Sequence, residues 1–191
     1  MSRIYISSSW RNHHQPELVA ELRKRGHKVY DFRHPKGRND HNVWESVSDR
    51  LGCGADYEAG NLTPKQFRQM LTDKEAAVRF EEHYNAMQDA DTCILLLPCE
   101  RSSHVEAGAM NLMGKRVFVM DMSQEAKPEL MYLMFDDYFY SLDDLYAAVD
   151  KTIPGVCRVC GCTENNPCDH PDRGTCWWVD ESQTLCSHCA D

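Results

Sequence analysis

Two sets of residues in this sequence have the types and spacing to do chemistry. The first closes the chain. Cys157-x2-Cys160 and Cys186-x2-Cys189 form two knuckles separated by residues 161–185, the spacing of a structural tetrahedral zinc site. Cys162, Cys168 and Cys176 are left over, with His170 and His188 near them. Those three thiolates with His170 would make a second site, so one or two ions are expected. Disulfides and free thiols are the other readings of the leftover cysteines. The segment is too short and polar to hold a core without such a clip. Trp177 and Trp178 supply a small core, or stack on a base if exposed. The module resembles a zinc ribbon or treble clef, and no ligand position in it is open for catalysis.

The second set surrounds a single acid. Glu106 stands in "SSHVEAG", between the apolar runs "CILLLP" and "RVFVM". A carboxylate just past a strand that reads as buried on both faces needs a reason. The structural reason would be a capping box, since Glu106 follows Ser103 by three residues. The chemical reason depends on what else reaches the same place, and so on the elements that carry it.

"RIYISS" reads as a first strand and "PELVAELRKRG" as a helix, with Leu18, Val19 and Leu22 at helical spacing and Gly26 as its stop. "HKVYDF" is a second strand. Residues from Arg33 to about Gly60 read as an irregular loop anchored by Trp44. The stretch from Thr63 to Asp91 reads as one or two helices, with Thr63 as N-cap and Pro64 at the first helical position. "TCILLLP" has the continuous apolar run of a covered third strand. A helix starting at Ser102 or Ser103 and closed by Gly114 follows, then the strand "KRVFVMD". "KPELMYLM" is a short helix or turn, "DYFY" a fifth strand, and "SLDDLYAAVDK" a last helix capped by Ser141. Strands alternating with helices predict a flavodoxin-like α/β fold: a doubly wound parallel sheet of about five strands. The expected division is an α/β domain over residues 1–151 and a Cys-rich zinc module over 152–191, joined at "TIPGV".

In such sheets ligands sit beyond the carboxyl ends of the strands. Ser7, Ser8, Ser9, Trp10 and Arg11 follow the first strand and Asp31 the second. Glu100, Ser102, Ser103 and Glu106 follow the third. Each has a bland reading: a plain turn for the serines, a core lid for Trp10, strand packing for Tyr5. Their coincidence on one rim is what argues for a site.

With a formal charge of -9, the chain is not expected to coat nucleic acid, because phosphate binding wants a positive surface. No apolar run long enough to span a membrane and no signal-peptide pattern is read, so a cytoplasmic location is expected.

"IYISSSWRNHHQ" resembles the opening of nucleoside 2-deoxyribosyltransferases. "SSHVEAGAMNLMGKRVFVM" is similar to their Glu-x-Gly segment followed by Gly-Lys-x-Val. The resemblance covers roughly residues 3 to 140. The same superfamily contains nucleotide N-glycosidases, and its fold is similar to that of TIR domains. The resemblance implies that Glu106 is the catalytic nucleophile and Tyr5 the tyrosine that orients it. Glu100 stands where transferases place a sugar-binding Asp and nucleotide hydrolases a phosphate-binding Ser. Asn85 matches an Asn beside the acid that faces the base. At that acid's own position this chain has His83, which protonates the leaving base or is an exposed helix histidine.

The implied activity is hydrolysis, or transfer, at the N-glycosidic bond of a nucleoside or nucleoside 5'-monophosphate. Its oxocarbenium-like transition state explains the acid: a carboxylate beneath the anomeric carbon stabilises or traps the cation. A TIR-like NAD-consuming glycohydrolase and a non-enzymatic nucleotide sensor, its zinc module contacting a partner, are the rivals. Members of the family complete their sites from a neighbouring subunit, so a homo-oligomer is expected.

Overall fold

The computed structural model describes residues 1–35, 42–151, 154–157 and 159–190. They fall into two compact units, Met1–Val29 with Ala90–Asp191 and Tyr30–Asp89. The expected boundary between residues 151 and 152 falls beside positions outside the described residues.

The first unit carries the sheet. Its strands are β1 (Arg3–Ser7), β2 (Lys28–Tyr30), β3 (Thr92–Leu97), β4 (Arg116–Asp121) and β5 (Asp137–Phe139), in the order β2-β1-β3-β4-β5. This is the expected α/β sheet, parallel and five-stranded. β1 pairs with β3 in parallel, Tyr5 opposite Cys93 and Ser7 opposite Leu95.

Side chains alternate along a strand, and here the alternation sorts two kinds of chemistry. Ile4 and Ile6, Ile94 and Leu96, and Phe118 and Met120 bury one face against Leu18, Val19 and Leu22 of α1 (Gln15–Lys24) and Leu145, Tyr146 and Val149 of α7 (Leu142–Asp150). Tyr5, Ser7 and Cys93 take the alternate positions, and α6 (Arg101–Leu112) packs against β1, β3 and β4. Helices on both sides make the sheet doubly wound. Gly26 and Gly114 follow α1 and α6 with φ of +89° and +74°, a left-handed turn that glycine makes without a Cβ clash. Ser141 caps α7 through the Asp144 N–H, as its sequence predicts.

His27 ties the ends of this unit together. Its Nδ1 accepts from the Ser2 N–H at 3.1 Å, so Nε2 carries the proton donated to Asp150 Oδ1 at 2.8 Å.

The second unit holds α2 (Val43–Arg50), α3 (Gly54–Glu58), α4 (Pro64–Met70) and α5 (Lys74–Asp89). Thr63 and Gln66 form a reciprocal capping box at the start of α4. Val47, Cys53, Met70 and Ala76 make a small core with Trp44, Tyr57 and Leu62 packed on it. The loop expected from Arg33 to Gly60 is therefore corrected: α2 and α3 occupy much of it. Asn42 starts α2 by accepting from the Trp44 N–H, and Gly52 and Gly60, at φ +72° and +70°, close α2 and α3.

The cysteine-rich end has little regular structure. Its elements are the two-residue antiparallel pair β6 (Asp169–His170) and β7 (Gly174–Thr175), and a 3-10 turn at Ser187–Cys189. Asp180 organises the last loop, its carboxylate accepting from the Thr184 and Leu185 N–H groups and from the Ser182 and Thr184 hydroxyls. Hydrogen bonds led by those of Thr184 and Ser182 hold that carboxyl well below the usual carboxylate range.

Candidate functional site

β1 ends at Ser7 and β3 runs out through Leu97–Pro98 into α6. The two meet at the rim because β1 and β3 are neighbours in the sheet. Two side chains pin the β1–α1 turn there. Ser8 Oγ donates to the Leu96 carbonyl at 3.1 Å, and Asn12 Nδ2 donates to the Leu96 and Pro98 carbonyls at 3.3 and 3.1 Å.

α6 begins at Arg101 with Glu100 as N-cap, two residues before Ser102 and three before Ser103, and no side chain caps it. Ser103 therefore lies inside the helix, and the capping-box reading of Glu106 is corrected. Ser103, Ala107 and Met110 form the buried face, and Glu106 stands at its edge, half-buried. Its partner lies 99 residues back: Ser7 Oγ donates to Glu106 Oε2 at 2.5 Å and approaches the Ser103 carbonyl at 3.0 Å. A hydroxyl has one proton, and the carboxylate is the stronger acceptor.

Two thiols sit close to this carboxylate. Burial, reinforced by the Glu106 charge, pushes the Cys93 thiol far above its ordinary range. Burial also raises Cys99, with Glu106 and Glu100 adding to it and a Ser103 hydrogen bond opposing, to about 11. Both thiols stay protonated at neutral pH, so neither is a nucleophile there.

Beyond Glu106 the rim continues through residues that the sequence did not single out. His104 Nδ1 lies 3.1 Å from the Glu100 carbonyl, to which it must donate, and 3.6 Å from Cys99 Sγ. Neutral His104 then accepts at Nε2 from the Tyr132 hydroxyl, 2.9 Å away. Burial first, then nearby Cys99 and the Glu129 and Asp121 carboxylates, raise Tyr132 to about 12, so it keeps the proton this bond needs. At the end of β4 the Asp121 carboxylate accepts from Tyr138 and Ser123. Burial works to raise that carboxyl, but the two hydroxyl bonds and the Ser123 N–H outweigh it and hold it low.

The remaining predicted residues divide by unit. Tyr5 is buried in β1. Ser9 Oγ accepts from the Arg11 N–H at 3.2 Å, and Arg11 pairs with Glu100 at 3.4 Å with both side chains largely in water. Trp10 is half-buried and Ser102 exposed. Asp31, His83 and Asn85 belong to the second unit. There Asp31 accepts from the Arg33 N–H and pairs with His34 Nδ1 at 2.8 Å. The His83 ring packs edge-on to Tyr30, centroids 5.9 Å apart, and lies 6.4 Å from Phe32. Asn85 is exposed. The structure joins Ser7, Ser103 and Glu106 directly; Asp31, His83 and Asn85 are residues of the second unit.

The cysteine sulfurs form one cluster that could hold a metal ion. Cys157, Cys162 and Cys186 are its buried centre, with Cys160, Cys168, Cys176 and Cys189 packed around them. Two four-thiol groups have all sulfurs within 4.8 Å: Cys157, Cys160, Cys162 and Cys186, and Cys162, Cys168, Cys176 and Cys186. His170 is in neither, and its Nδ1 accepts the Asp172 N–H at 3.2 Å. Burial would raise the Cys157 thiol, but N–H groups led by those of Cys160 and Cys186 outweigh it and bring it to about 6. N–H groups aimed at sulfur favour thiolate, the form a metal takes.

No protein-family model matches the chain, and no curated protein matches its sequence. Among solved structures, a 2-deoxyribosyltransferase from Bacillus psychrosaccharolyticus superposes with a TM-score of 0.46 at 18% identity, over 74% of this chain and 88% of that one. The CMP N-glycosidase of Clostridium botulinum superposes with a TM-score of 0.41 at 13% identity, over 78% and 98%. Among the described residues, no helix is long and apolar enough to cross a membrane.

Proposed function

We propose that this protein cleaves the N-glycosidic bond of a nucleoside or nucleoside 5'-monophosphate, with Glu106 as nucleophile. The observation that carries the reading is the Ser7–Glu106 hydrogen bond: a half-buried carboxylate on the carboxyl rim of a parallel sheet, one oxygen fixed by a serine hydroxyl. In the first step the Glu106 carboxylate forms a bond to the anomeric carbon as the carbon–nitrogen bond breaks. The bonding pair leaves on the base, which takes a proton. In the second step water attacks the same carbon and releases Glu106, its proton passing to solvent; a second base in place of water gives transfer. Tyr5, buried two residues before Ser7 on β1, takes the orienting role that the resemblance gives it. The serine turn at the end of β1, with Arg11, suits a 5'-phosphate and favours the nucleotide.

We infer also that the cysteine cluster binds zinc in a structural role. An all-thiolate donor set suits that ion, and the segment has too little apolar core of its own to fold without a clip.

The test is base release from a panel of nucleosides, nucleoside 5'-monophosphates and NAD+, measured on wild type and Glu106→Gln. Gln keeps the shape and much of the hydrogen bonding but removes the charge and the nucleophilic oxygen. Loss of a covalent or electrostatic partner of the sugar cation is expected to slow release on the order of a thousandfold or more. Release at the wild-type rate would remove Glu106 from the chemistry.

A further inference from the structure

The geometry points to a single two-metal cluster in the cysteine-rich end, in which the Cys186 thiolate bridges both ions. This rests on the zinc reading and adds ion number and ligand sharing to it. Two tetrahedral ions call for eight donor positions. The tail offers seven cysteines, Cys157, Cys160, Cys162, Cys168, Cys176, Cys186 and Cys189; neither His170 nor Cys189 joins a close group, but Cys189 is packed on the cluster and shares a C-x2-C knuckle with Cys186. One thiolate serving two ions closes the difference.

Cys186 is the sulfur placed to do so. It is 1% exposed, at the centre of the cluster. The C-x2-C knuckles assign Cys157, Cys160, Cys186 and Cys189 to the first ion, because two cysteines so spaced turn both sulfurs to one point. Cys162 and Cys186 belong to both close four-thiol groups; of the two only Cys186 is also a knuckle cysteine, so it is the sulfur that serves the first ion and completes the second set with Cys162, Cys168 and Cys176. One sulfur–sulfur distance in each set fits a single coordination sphere. Cys160 and Cys186 sulfurs lie 3.7 Å apart in the first and Cys162 and Cys176 sulfurs 3.6 Å apart in the second. A tetrahedron with metal–sulfur bonds of about 2.3 Å has an edge of about 3.8 Å. The two spheres also touch: Cys160 and Cys168, one from each, approach to 3.3 Å. Ions held in separate sites would not bring their outer ligands together. Backbone N–H groups support both sets, that of Cys186 reaching Cys157 Sγ at 3.4 Å and that of Cys168 reaching Cys176 Sγ at 3.2 Å.

The probe is the full chain reconstituted with 113Cd in place of zinc, beside elemental analysis of protein purified without chelator. Two ions per chain are expected. The cadmium spectrum should show two resonances in the all-thiolate range, split by scalar coupling between the two nuclei, which needs a shared sulfur. Two uncoupled resonances would overturn the bridge while leaving the zinc reading intact. One ion per chain would overturn the two-metal cluster, and iron with acid-labile sulfide, or no metal at all, would overturn the zinc reading as well. In a second arm, His170→Ala should keep both ions and the coupling; loss of one ion would make His170 a ligand and remove the need for a bridge.

Discussion

Ser7 Oγ, the last side chain of β1, donates to Glu106 Oε2 at 2.5 Å. This bond fixes one carboxylate oxygen of Glu106 at the end of β1. Ser7→Ala removes it. A hydrogen bond to a charged group contributes about 1.5–3 kcal/mol, so kcat/KM for base release should fall by roughly ten- to a hundredfold. Ser7→Thr, which keeps the hydroxyl, should restore part of the loss. Equal activity in Ser7→Ala and wild type would show that the bond does not position the nucleophile.

Cys99 reports on the same carboxylate without any substrate. With its thiol raised to about 11 by burial and by Glu106 and Glu100, alkylation by iodoacetamide at pH 7.5 should be slow. It should accelerate as the pH climbs toward that value. Glu106→Gln removes one of the raising charges, so the thiol pKa falls and alkylation at fixed pH becomes faster. Peptide mass spectrometry separates Cys99 from the tail cysteines. An unchanged rate in the variant would mean that the two groups are not electrostatically coupled.

The Asp121–Tyr138 contact predicts a pH dependence of stability. Asp121 is held below its unfolded value, so its contribution is present above the ordinary Asp range and is lost as pH falls through the lowered value. Tyr138→Phe deletes one of the bonds that hold it low. Acid unfolding of the variant should then begin at higher pH, with little change near neutrality beyond the lost bond itself. Superimposable acid limbs would refute the coupling.

His83 carries a prediction that rests on the resemblance alone. If it gives the proton to the leaving base, His83→Asp should retain or raise activity and move the acid limb of the pH–rate profile, while His83→Ala should lose activity. Unchanged rates and profiles in both variants would leave His83 with only its contacts to Tyr30 and Phe32.

What the sequence disclosed follows from where the determining interactions lie. Thr63 and Ser141 were readable as caps because each bonds a backbone N–H three residues on. The sheet was readable because β3 is apolar at every position after Thr92, as a doubly covered strand requires. α6 was placed two or three residues late because Glu100 caps it without a side-chain bond and so leaves no signature. α2 and α3 were lost in a polar stretch whose glycines read as loop, although Gly52 and Gly60 end helices. At the rim, Glu106 was visible beside its strand. The His104–Tyr132 and Asp121–Tyr138 pairs were not, since they span 28 and 17 residues and no local pattern records them.

The strand order also sets when the site can exist during synthesis. β1 lies between β2, which emerges soon after it, and β3, to which it pairs about ninety positions later (Ile4 with Thr92). A ribosome adding roughly 5–20 residues per second needs several seconds to supply β3 and α6 after β1 has left the tunnel. Throughout that interval Ser7 has no Glu106 to bind and one edge of β1 stays unpaired. Any nascent chain halted before α6 therefore lacks the Ser7–Glu106 bond, and it carries an open strand edge that invites pairing with other chains.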